Sequence, residues 1–346
     1  MKGVALAAAV VLMSQALTGC KGGGGDAQTA AVDKADVQKA AAQDKAFEDN
    51  QKKIEVLNQK YPRVPELGKI VERGENACYN ELKERYKTQL TQLKKDVEST
   101  GATFVMTMLF VESDNKSLLS FKLSTPYIRS TIEQLGVDYV DFGPILAKYD
   151  PKEITQVPRD GHWSVKGAQI ISDRLATLIK KYPNAQSKTV YKDSERPETF
   201  ADLPPNDDEV QDGGKDLPYH IKANSQGMRM DHDLTFPKKK KRVLLIGDSG
   251  LFCPFLDNEY TIAYNLQKTF PDYEIYTIAA VNWTTEDFLS LWNTKAKYTE
   301  PDLVIVGTNA SDIEDLFFTN RNHCSRTGIA FYPSPIEEKF YHEIYQ

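Results

Sequence analysis

The chain has 346 residues, 40% hydrophobic and 27% charged, which is more chain than one core usually organises and predicts a single catalytic domain with appended segments. Its formal charge of −6 at pH 7 removes any electrostatic case for general nucleic-acid binding. Neither Cys-x-x-Cys nor His-Glu-x-x-His spacing occurs, so neither a metal nor another cofactor is expected.

Met1 to Cys20 has the layout of an export signal: one basic residue, Lys2, an apolar run from Val4 to Leu17, then small residues. At about 14 residues the run falls short of the ~20 that span a bilayer. The cut is not Ala-x-Ala-like; instead Leu17-Thr18-Gly19-Cys20 resembles the lipobox of bacterial lipoproteins, whose cysteine sulfur receives diacylglycerol. That resemblance implies a signal peptide over 1–19, lipid on Cys20 and a membrane-anchored, extracytoplasmic protein. Lys21 after the cysteine is similar to outer-membrane lipoproteins, which places the chain facing the periplasm.

Residues 20–32 follow as a Gly- and Ala-rich tether. Residues 33–100 read as a helical spacer of two helices. Asp33 to Lys60 is polar with sparse apolar positions, and Glu75 to Ser99 carries Tyr79, Leu82, Tyr86, Leu90 and Leu93 as one apolar stripe that should pack on the domain beyond. From Gly101 apolar runs alternate with helical segments. Strands are predicted at Thr103 to Phe110, Val137 to Phe142, Arg242 to Ile246, Glu274 to Ile278 and Asp302 to Val306. Helices are predicted at Thr125 to Leu135, Val165 to Lys180, Asn258 to Thr269 and Thr284 to Trp292. This alternation predicts an α/β three-layer sandwich with a parallel sheet over 101–346. An acidic, Pro- and Gly-broken stretch at about 184–240 reads as an insertion or surface excursion, and Lys238-Lys239-Lys240-Lys241-Arg242 as a solvated lead into the next strand.

In an open parallel sheet the carboxyl ends of the strands meet in one crevice, where helices begin with unbonded N–H groups. Gly247-Asp248-Ser249 and Gly307-Thr308-Asn309 each follow a predicted strand, and Asp160-Gly161-His162-Trp163 precedes the helix at Val165. Ser249 fits a nucleophile, which needs a base to take its proton; His162 fits that base, and Asp160 can hold the imidazole in its required tautomer. Asn309 and the backbone N–H of Ser249 fit oxyanion donors. Trp163 reads as packing that fixes the His162 loop, while Trp283 reads equally as a sugar-stacking ring or a buried anchor. Asp231-His232-Asp233 reads as a polar turn, and His220, His323 and His342 as surface or structural. Beyond Cys20 the cysteines are Cys78, Cys253 and Cys324, which allow at most one intramolecular disulfide. Cys253 and Cys324, each just downstream of a candidate catalytic segment, are the expected pair.

These three blocks resemble the serine, asparagine and Asp/His blocks of the SGNH (GDSL) hydrolases. Their order is permuted, since Asp160 and His162 precede Ser249. An Asp-x-His-Trp block followed by Gly167 and a helix is similar to the SGNH-like domains of the alginate O-acetylation proteins, the AlgX/AlgJ group. The family's glycine block would fall near Ala279 to Thr285, with Asn282 in the place of its glycine as a backbone oxyanion donor. Gly250 stands where the alginate proteins have tyrosine, and Leu251 breaks the Gly-x-Ser-x-Gly elbow of the α/β-hydrolases.

The resemblance implies serine-dependent O-acyl transfer, acetyl above all, or ester hydrolysis on an extracytoplasmic polysaccharide, an O-acetyltransferase or a carbohydrate esterase. Coenzyme A is a cytoplasmic donor, so a transferase tethered outside implies a membrane acyl-donor partner. A GDSL-type lipid or small-ester hydrolase and a non-catalytic envelope scaffold remain the alternatives.

Overall fold

The computed structural model describes residues 77–109, 119–157, 159–211, 216–309, 312–313 and 316. All lie in the unit Leu57–Gln346. The signal segment, Cys20, the tether and the helix expected at Asp33 to Lys60 lie outside them, as do Cys324, His323 and His342. Among the described residues no helix is long and apolar enough to cross a membrane.

Five strands form one parallel sheet: β1 (Thr103–Met108), β2 (Tyr139–Asp141), β5 (Lys241–Gly247), β6 (Tyr273–Ala279) and β7 (Leu303–Thr308), in the order β2-β1-β7-β5-β6. The central strands are nearly continuous Val, Ile and Leu because both faces of the sheet are covered. Alternation sorts their side chains into two cores. Phe104, Met106, Leu244, Ile246, Tyr276, Val304 and Val306 face one layer; Val105, Val243, Leu245, Ile275, Leu303 and Ile305 face the other.

The first layer is built from α1 (Ala77–Ser99), α2 (Leu119–Leu135) and α8 (Thr285–Thr294). On α1, Leu82, Tyr86, Leu90, Leu93 and Val97 recur every three or four residues, and all are buried against the sheet and α8. Each such side chain contributes ~1.5–3 kcal/mol of transfer free energy. Helix α1 is therefore a wall of the sandwich, packed on the domain through its apolar stripe. The opposite layer is built from α5 (Val165–Ile179) and α7 (Ile262–Thr269), with α3 (Gly143–Leu146) and α4 (Pro151–Ile154) leading into α5. Ser164 caps α5 by accepting from the backbone N–H of Gly167.

Three expectations are corrected. The stretch at 184–240 is not a surface excursion alone: it carries a two-stranded antiparallel sheet, β3 (Asp208–Gln211) and β4 (Tyr219–Lys222), and sends Phe200, Met228, Met230 and Leu234 into the α1-side core. Its apolar residues are irregularly spaced because they belong to turns, which have no period. The basic block is not simply solvated. Arg242 is fully buried, donating to Glu274 at 2.5 Å and to the carbonyls of Thr299 (2.7 Å) and Thr235 (2.6 Å), while Lys238 pairs with Asp302 at 2.6 Å. Removing one partner of such a buried pair typically costs ~3–5 kcal/mol, so these charges fasten the amino edge of the sheet. Finally, the helix expected from Asn258 opens as a single 3-10 turn over Asn258–Tyr260, and the α-helix itself begins at Ile262.

Gly167 lets α5 lie against α4: a Cβ there would stand 2.0 Å from the Ile154 carbonyl oxygen, backbone against backbone. Gly167→Ala is expected to destabilise the protein by about 2 kcal/mol or more, read as a lower urea midpoint with unchanged slope.

Candidate active site

The parallel register brings the carboxyl ends of the strands to one edge. Gly247 of β5 lies opposite Ala279 of β6, Ile246 opposite Val306 of β7, and Thr308 opposite Met108 of β1. Gly247, Gly307 and Thr308 are the last rungs of their strands rather than residues beyond them, so Asp248, Ser249 and Asn309 are the groups that emerge at the edge. The two glycines share one cause. Leu251, buried two residues after Ser249, folds back over both, and a Cβ would stand 2.8 Å from its Cδ1 at Gly247 and 2.6 Å at Gly307.

Ser249 opens a single helical turn, α6 (Ser249–Phe252), and is partly exposed. As the first residue of that turn, its N–H has no intrahelical carbonyl to bond. Asp248 is the N-cap and is 3% exposed. One of its carboxylate oxygens accepts from the Gly250 N–H at 2.9 Å, and the other accepts from the side-chain amide of Asn309. Residue order alone assigns no role to Asp248. In the structure it couples the serine turn to the asparagine block and sets the plane of the Asn309 amide.

The Asp160–His162 block lies in a loop closed by the Thr155–Trp163 bridge, with the Gln156 N–H donating to the His162 carbonyl at 2.9 Å. The Asp160 carboxylate accepts from the backbone N–H of His162 at 2.9 Å and pairs with the ring Nδ1. An imidazole so held turns its other nitrogen away from the carboxylate. The loop is joined to the serine turn through Trp163, 5% exposed, whose Nε1–H donates to the Gly250 carbonyl at 2.9 Å. The residue after His162 thus grips the residue after Ser249.

Asn282 is exposed, three residues beyond Ala279, and adopts a left-handed φ of 63°. Asparagine tolerates this region better than most residues, so the chain takes a glycine-like conformation there. Trp283 is half-buried and packs on the α1-side core. On the other flank a buried network ties α1 to the edge: the Tyr86 hydroxyl lies 2.6 Å from the Thr308 hydroxyl, which donates to the fully buried Asp312, and the Asn309 N–H donates to Asp312 at 3.3 Å. Burial, with Asp312 close by, pushes the Tyr86 phenol well above its ordinary range.

Two residues beside the serine turn carried no sequence signal. Arg229, 7% exposed, donates to the carbonyls of Phe252 (2.6 Å), Cys253 (3.1 Å) and Leu256, and to Asn258 Oδ1 at 2.9 Å. Desolvation lowers its pKa. Phe255 packs its ring 5.9 Å from that of His162. Nothing in the aperiodic stretch before β5 singles out Arg229, and nothing in the sequence around Cys253-Pro254 singles out Phe255. Cys253 is a free thiol, fully buried; Cys324, its expected partner, lies outside the described residues. Asp231-His232-Asp233 forms a polar turn in which Asp233 accepts from Ser225 N–H (3.0 Å) and hydroxyl (2.6 Å). Among the described residues no group of three or more His, Cys, Asp or Glu side chains is arranged to hold a metal ion.

No family model and no curated protein matches the chain. Among solved structures it is similar to the O-acetyltransferase domain of Pseudomonas putida AlgJ, at 12% identity over 68% of this chain and 85% of that one, with a TM-score of 0.41. It is also similar to Pseudomonas aeruginosa AlgX, at 14% identity over 66% of this chain and 61% of that one, TM-score 0.36. Bacillus cereus PatB1 aligns at 10% identity over 68% and 91% of the two chains, again with a TM-score of 0.36.

Trp163→Phe keeps the packing but leaves the buried Gly250 carbonyl only the weak Cys253 thiol as donor, and is expected to cost ~1–3 kcal/mol in urea unfolding. Burial pushes the Cys253 thiol up to about 11. Iodoacetamide at pH 8 should therefore leave Cys253 unmodified in the native protein and alkylate it in guanidinium chloride, as peptide mapping would show. Because the unfolded thiol ionises from about 8.5 while the folded one stays protonated, this residue's contribution to stability falls as pH rises from there toward 11.

Proposed function

We propose that the protein is a serine enzyme that transfers or hydrolyses O-acyl esters, with Ser249 as nucleophile, His162 as base and Asp160 as the group that orients the base. The observation that carries this reading is the Trp163 to Gly250 hydrogen bond, which holds the Asp160–His162 loop against the turn that begins with Ser249. In the forward step Ser249 Oγ attacks the ester carbonyl as its proton passes to His162. The negative oxygen is met by the backbone N–H groups of Ser249 and Asn282 and by the Asn309 amide, whose plane Asp248 sets. Collapse of the intermediate expels the alcohol with the proton from His162 and leaves an acyl-Ser249 ester. Deacylation repeats the sequence with water or a sugar hydroxyl as acceptor.

The substrate class is the one implied by the resemblance of the three blocks to the alginate O-acetylation proteins. Lipid on Cys20 would hold Ser249 at an extracytoplasmic membrane surface, where acetyl esters on exported polysaccharide are the matching acyl groups. A membrane partner would supply acyl groups where transfer rather than hydrolysis occurs.

Ser249→Ala is expected to lower acetate release from p-nitrophenyl acetate by about 10³-fold or more and to abolish labelling by a serine-directed fluorophosphonate. Asn309→Ala should lose roughly 10²–10³ in kcat while still being labelled. A wild type as inactive and unlabelled as Ser249→Ala would overturn the catalytic reading in favour of an envelope scaffold, and equal activity in both would overturn Ser249 as the nucleophile.

A further inference from the structure

The segment that follows the serine turn is held in an unfavourable backbone conformation. Cys253 and Phe255 have φ values of 58° and 64°, in the left-handed region. For a bulky residue such as phenylalanine this is an outlier that persists only when its surroundings over-determine it. Here they do so: the Arg229 guanidinium gathers the carbonyls of Phe252, Cys253 and Leu256 together with the Asn258 side chain, and lies 5.0 Å from the Phe252 ring centroid. The product of this clamp is the placement of one side chain. The half-buried Phe255 ring stands 5.9 Å from the His162 ring at 58°, with its other neighbour, Tyr219 of β4, 5.5 Å away and edge-on.

We propose that Phe255 is a specificity-determining residue, the wall of the acyl-acceptor position beside His162, shaped for the C–H face of a pyranose ring. This rests on the Ser249–His162 reading above. During deacylation the acceptor hydroxyl must come within hydrogen-bond reach of the imidazole to surrender its proton, so whatever packs against that ring borders the acceptor. In the step itself the acceptor oxygen bonds to the acyl carbon, its proton goes to His162, the bond from that carbon to Ser249 Oγ breaks, and His162 returns the proton to Ser249. An aromatic ring here displaces loosely held water and presents an apolar surface to a sugar, favouring transfer over hydrolysis.

The test uses the full chain, p-nitrophenyl acetate as donor, and methyl α-glucopyranoside or glycerol as acceptor at matched hydroxyl concentration. Wild type should acetylate the pyranoside in preference to glycerol. Phe255→Gly, which removes the ring and also suits the left-handed φ, should raise the KM for the pyranoside, and its ratio of transfer to hydrolysis should fall about tenfold further than its p-nitrophenolate burst. Phe255→Tyr should recover the wild-type ratio. The proposal is overturned if Phe255→Gly keeps that ratio, if transfer and burst fall in parallel, or if wild type shows no preference for the pyranoside. A burst that survives Ser249→Ala sinks the underlying triad instead, an outcome distinct from all of these.

Discussion

The indole N–H of Trp163 reaches the Gly250 carbonyl across 87 positions of sequence, joining two segments that meet again where Phe255 packs beside His162. On one side is a loop whose geometry is local: Asp160, His162 and the Thr155–Trp163 bridge are set within a few residues. On the other is a turn fixed by β5 and capped by Asp248. A base and a nucleophile act together only at hydrogen-bond range. A single buried donor contributes about 1 kcal/mol net to folding, but it ties the loop that carries the proposed base to the turn that carries the proposed nucleophile.

The rest of the sandwich keeps that junction rigid. At the amino edge of the sheet, Arg242, Glu274, Lys238 and Asp302 fasten β5 to its neighbours, where a misplaced charge would be left buried. At the carboxyl edge the same strands end in small residues so that Leu251 can fold over them and bring α6 close. Helix α1 contributes to both purposes, since its apolar stripe closes one core and its Tyr86 extends a hydroxyl to Thr308 beside the site.

The segment between α5 and β5 reaches furthest from its expected place. Its turns bury methionine and phenylalanine side chains, its hairpin sets Tyr219 against Phe255, and its Arg229 holds the loop after the serine. A buried guanidinium bonded to carbonyls rather than to a carboxylate is costly to desolvate, and the lowered pKa of Arg229 records that cost. The geometry it imposes is the left-handed backbone of Cys253 and Phe255.

The sequence by itself determined what depends on neighbours along the chain. Strand runs of Val, Ile and Leu, the three- and four-residue spacing on α1, and the Gly-Asp-Ser, Gly-Thr-Asn and Asp-Gly-His-Trp blocks all follow from local period and residue chemistry, so the parallel α/β architecture and the candidate residues were legible. Trp163 was legible as a fixing residue, and Asn282 as one able to take a left-handed conformation. The tertiary structure alone decided the partners. Asp248 bridging to Asn309, Leu251 covering two glycines, Arg229 gathering carbonyls and Phe255 standing beside His162 are contacts between segments far apart in sequence or bent by irregular turns. Such contacts leave no periodic trace because each depends on where the sheet edge brings two chain segments, and that position exists only once both cores have closed.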